Sequence, residues 1–548
     1  MKFLEEIQKS IQGALRSLGF IEEEPGIILE KPRLKSHGDI STPIAMSLAK
    51  KLKKKPLDVA EKIVAAATFS KDIVASVEVA EPGFINLTLS PKILAENLLE
   101  ILSRKGRYGS SELGRGEKFQ VEYVSANPTG PLVLVSARAA AVGSTIVNLL
   151  NFIGYDAESE YYVNDHGSQI QALGESLRYR WREHSGMLAP DEEIGAYPGE
   201  YLKAIAEKIP AEKALEWEAE EDPLEKFGAF ATGELLEQIK KDLDVFGIKF
   251  DSFYFESSLY PEWVERSEGI IENKAFAYEK DGATYFKSSQ LGDEKDRVLR
   301  KSDGNPTYLL GDIAYHLTKL ERGYKKIVDI WGPDHHGHMP RMKAAAVVLG
   351  APQDWLEVDI VGWVRLIEGG VPVGMSKRAA KFISLRDLVE EVGSDVAKYF
   401  FLMRRANSPL DFDLDLARKQ SDENPVYYVQ YAHARISSVL KFAEGKGCEW
   451  DPKIANLGLL DSGAERALMV HLAFFPQVVE GAAITREPHR LAVYAQELAG
   501  LFHQFYQDHK IVSDDEAVAS ARLLLAEATM RVLRNTLELM GISAPSSM

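Results

Sequence analysis

Cysteine is nearly absent from this chain, with Cys448 the one thiol in 548 residues. That excludes an internal disulfide and any CxxC metal site. The N-terminus, Met1-Lys-Phe-Leu-Glu-Glu6, lacks a basic region followed by an apolar run. No segment approaches the roughly 18 apolar residues of a membrane span, so a cytoplasmic protein with no membrane partner is the expectation. Basic charge is scarce too: 65 Lys and Arg stand against 82 Asp and Glu, a net charge of −17. A polyanion partner is disfavoured by that balance, because phosphate binding draws on Lys and Arg. The charges are unevenly placed, however: Lys50, Lys51, Lys53, Lys54 and Lys55 cluster, while 216–225 is strongly acidic. A lysine run reads first as a solvated helix face and second as a nucleic-acid patch. Internal repeats and low-complexity tracts are missing.

What is present is enough apolar residue, 45% of the chain, to bury several cores. The length predicts two to four domains. Residues 1–112 carry helical periodicity (Phe3, Ile7, Ile11, Leu15), a lysine-rich helix and a probable strand, Gly83 to Leu89, which together read as a small α+β module. Glycine and serine from Gly106 to Gly116 suggest a linker. Between 113 and 395, apolar β-rich runs (Gln120 to Val124, Ser159 to Val163, Lys326 to Trp331, Val358 to Trp363) alternate with helical patterns. That alternation predicts a Rossmann-like parallel sheet. An acidic, helical insertion is expected at about 170–290, closing on a hairpin at Gly282. From 396 to 548 the pattern is helical: Val396 to Arg405, Pro425 to Phe442, Glu465 to Ile484, Arg490 to Gln507 and Ala519 to Met540. The chain is therefore predicted to be an α/β multidomain protein ending in an α-helical bundle.

Chemistry concentrates in Ser125-Ala-Asn-Pro-Thr-Gly-Pro-Leu-Val-Leu-Val-Ser-Ala-Arg138. The apolar run from Phe119 to Val124 reads as a buried strand, a Pro/Gly turn follows, and Ala137 to Ile153 reads as a helix. Strand, tight loop and helix N-terminus form a phosphate cradle. Four other blocks accompany it in order: Tyr161-Tyr-Val-Asn-Asp-His-Gly-Ser-Gln169, Trp331-Gly-Pro-Asp-His-His-Gly337, Met375-Ser-Lys-Arg378, and Asn424-Pro-Val-Tyr-Tyr-Val-Gln-Tyr-Ala-His-Ala-Arg435.

These five collinear blocks resemble the arginyl-tRNA synthetases, class I aminoacyl-tRNA synthetases. The resemblance implies an arginine–tRNA ligase. Its substrates are ATP with Mg2+, arginine and tRNA(Arg), joined through an arginyl-adenylate; it holds no metal of its own and is a monomer. In the family Leu132 would be followed by His-X-Gly-His. Here Val133, Leu134, Val135 and Ser136 stand there, and Gly374 stands where a lysine would precede Met375. Valine donates no hydrogen bond, the serine hydroxyl is short, and a β-branched side chain at 135 fills space that glycine leaves for adenine. Val-Leu-Val reads equally well as the extension of a core strand or helix start. A second function follows: a synthetase-like tRNA-binding protein with weak or no adenylate formation.

Carried over residue by residue, the resemblance assigns Lys377, Ser376 and Ser136 to catalysis. It places Pro128, Thr129, Gly130, Val133, Leu134, Val135, Gly332, Asp334, His335, Met375 and Lys377 on ATP. Arginine falls to Glu122, Asn127, Tyr308 and Asp312, because a planar guanidinium calls for acidic, bidentate partners. Leu310-Gly311 departs from the family's small and hydroxylated pair. A lone Glu122 on an apolar strand is, by residue type alone, more often a structural ion pair. The histidines at 335, 336 and 338 have poor spacing for a metal. In the helical region Tyr427, Tyr428, Tyr431 and Arg435 make a stacking platform for unpaired bases, with Met548 beside them, although an aromatic stripe is more often core. The family also uses the N-terminal module at the elbow of the tRNA. At the terminus, Ser546 and Ser547 replace an acidic and a basic residue.

Overall fold

The computed structural model describes residues 2–21, 26–32, 37–189, 192–373 and 383–548. Its N-terminal module is a helix, Lys2–Ser17, packed with two further helices on an antiparallel sheet. The strands are β1 (Ile40–Thr42), β2 (Val74–Ala80) and β3 (Phe84–Leu89), in the order β1-β3-β2. The periodic residues Phe3, Ile7, Ile11 and Leu15 are all buried, as a 3.6-residue repeat requires. The expected linker is docked instead. Tyr108 is buried and donates to Asn97 Oδ1 (2.9 Å) and the Leu472 carbonyl (3.1 Å), while Asn535 donates to the carbonyls of Lys105 and Tyr108. Turn-forming composition marked a bend, and the aromatic within it made the bend part of the core.

The central sheet holds five parallel strands: β4 (Lys118–Glu122), β5 (Asp156–Val163), β6 (Ser252–Phe255), β10 (Lys326–Trp331) and β11 (Leu356–Ile360). Their order is β11-β10-β4-β5-β6. From β4 the chain winds outward through β5 and β6, and it returns on the other side as β10. Strand order therefore reverses at β4, and a crevice opens at the carboxyl ends there. The helix Leu134–Phe152 connects β4 to β5 and is buried along most of its length.

Helices Ser168–Ser185, Tyr201–Ala206, Ala211–Glu218 and Pro223–Val245 interrupt the sheet around their own core of Trp181, Trp217 and Phe227. The insertion is not continuous to 290, because β6 rejoins the main sheet beside β5. Four residues are too short a run to signal a strand by periodicity. After β6 come β7 (Ala277–Lys280), β8 (Ala283–Phe286) and β9 (Arg297–Arg300), a separate antiparallel sheet. Asp281 and Gly282, at φ 53° and 75°, form its first hairpin turn, where both central residues need left-handed backbone.

Beyond a small sheet of β12 (Val364–Glu368), β13 (Val371–Pro372) and β14 (Leu410–Asp413), the chain is helical. The segment expected as one helix from Glu465 to Ile484 is two, Gly463–Ala473 and Phe475–Thr485, broken at Phe474 with Pro476 in the second helix's first turn. Taken together, Gly463–Thr485 is long and apolar enough to cross a membrane by length and composition, unlike the sequence expectation, but it is broken at Phe474 and 61% of its most apolar 18 residues are buried in the bundle.

Candidate functional site

The crevice begins where β4 ends. Val124 and Ser125 adopt positive φ of 69° and 37°, rare for any residue with a side chain and rarer for a β-branched one. This kink turns the chain out of the sheet, and Ser125 Oγ donates to Glu122 Oε1 (2.8 Å) and accepts from the Tyr162 N–H (3.1 Å). Val133 is the N-cap of the Leu134–Phe152 helix and makes no side-chain cap. The first-turn N–H groups thus keep their partial positive charge for an anion. Val133 also pairs across to Ser384, and the Leu385 N–H donates to the Leu132 carbonyl at 2.8 Å.

Two cavities meet at this helix end. The larger, about 550 Å³, is lined by Thr129, Gly130, Val133 and the 196–201 segment, where Tyr201 donates to the Thr129 carbonyl at 2.6 Å. The smaller, about 230 Å³, is lined by Gly332, Asp334, His335, Val361 and Trp363. Asn127, Val135 and Ser136 line both. Valine at 135 therefore stands on the ridge between the cavities, where an absent side chain would join them more widely. Pro128 and Leu134, expected on ATP, are buried and line neither cavity, since each packs inward at the loop and helix start. Met375, Ser376 and Lys377 lie outside the described residues.

The histidine cluster diverges. His335 faces the small cavity, His336 lines a separate one of about 450 Å³, and His338 Nε2 lies 2.8 Å from Asp312 Oδ2.

The acidic pocket differs from the expectation in one residue. Glu122 is buried and already engaged: Lys319 Nζ donates to its Oε2 at 2.6 Å and to Asp329 Oδ1 at 2.8 Å, and His316 Nε2 lies 2.8 Å from Asp329 Oδ2. Burial pushes Asp329 up, but Lys319 and His316 outweigh it and hold that carboxyl well below the usual range. Glu122 therefore sits in a buried ion cluster in which the one Lys319 ammonium, from the Tyr308–Glu321 helix, is shared with Asp329 of β10, and burial pushes the Glu122 carboxyl up.

A second buried acid, Glu256, stands nearby. It follows β6 in a turn pinned by Asp165, which accepts from the Ser257 N–H (2.8 Å) and hydroxyl (2.7 Å). It is only 4% exposed, its Oε1 accepts from Tyr260 at 3.4 Å, and its Oε2 is buried with no hydrogen-bond partner. Burial, then repulsion from Asp312 and Asp165, raises its carboxyl to about 7. Gly311 keeps the space open: a Cβ there would stand 3.1 Å from Tyr260 Oη and 3.7 Å from Glu256 Oε1. Tyr308, 56% exposed, has its hydroxyl 3.4 Å from Ser168 Oγ, and Asn127 donates to Gln169 Oε1 at 2.6 Å. Two carboxyls and several phenols thus face a space that suits a cation, with Glu256 held near neutrality by burial and Asp312 beside His338. The sequence signal for Glu256 was an acid inside the aromatic run Phe253 to Tyr260.

In the bundle, Tyr427 and Tyr431 stack at 6.3 Å and 8°, and Arg435 donates to the Tyr431 hydroxyl at 2.6 Å. The Arg435 guanidinium also lies over Tyr506, 4.4 Å from its centroid. Tyr428 is half-buried against His503, whereas Tyr431 and Met548 are exposed. The residues 543–545 dock on the same helix through Gln430 and His433.

Comparison with known proteins agrees along the chain. Residues 97–399 match the family described as tRNA synthetases class I (R), catalytic domain. Residues 5–89 match the Arginyl tRNA synthetase N terminal domain, and 429–548 the DALR anticodon binding domain. A Geobacillus kaustophilus protein named arginine–tRNA ligase is 46% identical over 553 residues, covering 100% of this chain and 98% of that protein. A Bacillus subtilis protein of the same name is 43% identical over 548 residues, covering 99% and 98%. The solved Thermus thermophilus arginyl-tRNA synthetase shares the fold, with a TM-score of 0.79 at 22% identity over 99% of both chains.

Proposed function

This chain belongs to the arginyl-tRNA synthetase family, and we propose that it is an arginine–tRNA ligase that uses ATP. An arginine carboxylate oxygen attacks the α-phosphorus of ATP, pyrophosphate leaves, and a ribose hydroxyl of the tRNA terminus then takes the acyl group and releases AMP. The observation that carries this reading is the Glu256–Asp312 pocket beside the two cavities. The guanidinium is held by both carboxylates in its donor plane, with Tyr308 along its stem and Asn127 at the amino-acid end. Adenosine takes the cavity at Gly332, Asp334 and His335, and the phosphates take the helix N-terminus at 133–136. Lys377 supplies positive charge to the departing pyrophosphate, the Ser376 hydroxyl donates to a phosphate oxygen, and Mg2+ arrives with ATP as part of the substrate. The tyrosine and arginine stripe at 427–435 takes unpaired bases of tRNA. The chain acts in the cytoplasm as a monomer.

The protein's contribution is position and charge. Val133 and Ser136 do not replace two imidazole donors, and Val135 crowds the ridge, so adenylate formation is slow relative to the family's pattern. The second reading is a tRNA-binding relative that barely forms the adenylate; full-length similarity to proteins named arginine–tRNA ligase favours the first. Pyrophosphate exchange measured with ATP, arginine and tRNA(Arg) together decides between them. Exchange that requires all three and falls on Lys377→Ala supports the ligase. Tight tRNA binding with exchange indistinguishable from a no-enzyme control would overturn it. Equilibrium sedimentation tests the monomer.

A further inference from the structure

Among the described residues, one guanidinium is fully buried without an acid. Arg138, in the first turns of the Leu134–Phe152 helix, is 0% exposed. It donates from Nη1 to the carbonyls of Gly362 (3.1 Å) and Ser408 (2.7 Å) and from Nη2 to the carbonyl of Arg405 (2.8 Å). Its Nε has no partner, and burial pulls its pKa down to about 10. A cation buried against backbone dipoles alone is costly, and a neutral side chain of similar length would pack there at lower cost. What the fold gains is geometric: a planar fork reaches two loops at once.

Those loops are not arbitrary. Gly362 lies between Val361 and Trp363, both of which line the small cavity. The 361–363 segment is itself tied to the second loop: the Gly362 N–H donates to the Ala406 carbonyl at 2.8 Å and the Leu410 N–H to the Trp363 carbonyl at 2.9 Å. A Cβ at 362 would meet the Ser408 carbonyl oxygen at 2.6 Å. The second loop is in turn joined to the bundle, with the Arg405 guanidinium 3.5 Å from Glu487.

We propose that Arg138 is a positioning residue of the nucleotide cavity, fixing the Val361–Trp363 wall against the helix whose N-terminus receives the phosphates. It touches no substrate. The proposal rests on the reading that this cavity takes ATP, and its test separates the two. Arg138→Lys keeps the charge but loses the fork. Gly362→Ala pushes the same two loops apart without touching Arg138. Magnesium-ATP, arginine and tRNA(Arg) are titrated separately into the full chain, and amide hydrogen exchange is followed across 361–363 and 405–408.

Both variants are expected to weaken ATP binding about tenfold or more, the scale of one to two lost hydrogen bonds to a charged group. Arginine and tRNA affinities stay unchanged, and exchange rises in those two segments alone. Unchanged ATP affinity overturns the proposal, as does an equal loss for all three ligands or unchanged exchange at 361–363. If the unaltered chain binds no ATP, the ligase reading fails instead. Exchange in Arg138→Lys then still decides whether the fork holds the wall.

Discussion

The two sides of the crevice are built from opposite materials. On the side proposed for arginine stand Glu256, Asp312, Tyr260 and Tyr308, above a floor in which Lys319 is shared by Glu122 and Asp329. On the nucleotide side the helix opens with Val133, Leu134 and Val135, and Ser136 is the one polar side chain of the four. The backbone is the same kind of device on both sides, a strand end followed by a turn. The difference teaches that scaffold and chemistry are separable here. Main-chain kinks and loop ties hold the cavity proposed for the nucleotide open, whereas the proposed recognition of the cation depends on particular side chains.

The comparison is broken most directly by rebuilding the poor side. Val133→His, Val135→Gly, Ser136→His and Gly374→Lys together should raise pyrophosphate exchange by on the order of 10⁴-fold, since each positioned donor contributes about 10²–10³. No gain would mean that the nucleotide side is not limiting. Next in size is the floor. Lys319→Met leaves two buried carboxylates without their shared cation and should cost about 3–5 kcal/mol, read as a lowered calorimetric Tm.

Glu256→Gln removes one charged acceptor from the pocket. Arginine binding measured by calorimetry should weaken by about 2–3 kcal/mol while ATP binding stays constant. Parallel loss of both would erase the distinction between the sides. The same carboxyl sets a pH signature. Its folded pKa of about 7 lies above its ordinary value of 4.5. Its neutral form is therefore the one the empty pocket prefers, and its stabilising contribution, present below 4.5, is lost as pH climbs through 7. Arginine prefers the ionised form, so its affinity should fall about tenfold from pH 8 to pH 6. Glu256→Gln should flatten that slope. The smallest effect belongs to the distant bundle: Tyr431→Ala should weaken tRNA binding by about 1 kcal/mol in filter binding, with arginine affinity untouched.

Much of this architecture is written in local pattern. The strand before Val124, the helix after Val133 and the bundle helices follow from apolar spacing, and Asn424-Pro425 reads directly as a cap and first turn. What stayed hidden depends on partners far along the chain. By residue type Glu122 reads as half of an ion pair, but its partner Lys319, 197 residues away, is named only when the Tyr308–Glu321 helix brings it there. Glu256 stayed hidden for the converse reason: its strand is too short for period-two reading, and its burial arises only when β6 docks beside β5. The left-handed backbone at Val124 opposes that residue's own preference, so only tertiary packing sustains it.

The pairing of Val133 with Ser384 has one more consequence, best put in the language of tethered chains. Val373 is fixed to the Leu366 carbonyl at 2.9 Å, and Ser384 is fixed beside the helix end. Lys377 lies four residues from the first anchor, a reach of at most roughly 14 Å. A cation leashed so closely has an effective concentration on the order of millimolar at whatever anion the helix holds. Under the proposed role, the anchors set that concentration before any contact of the side chain is counted. Severing the backbone on both sides of Lys377, between it and Val373 and between it and Ser384, would dilute that charge into solvent.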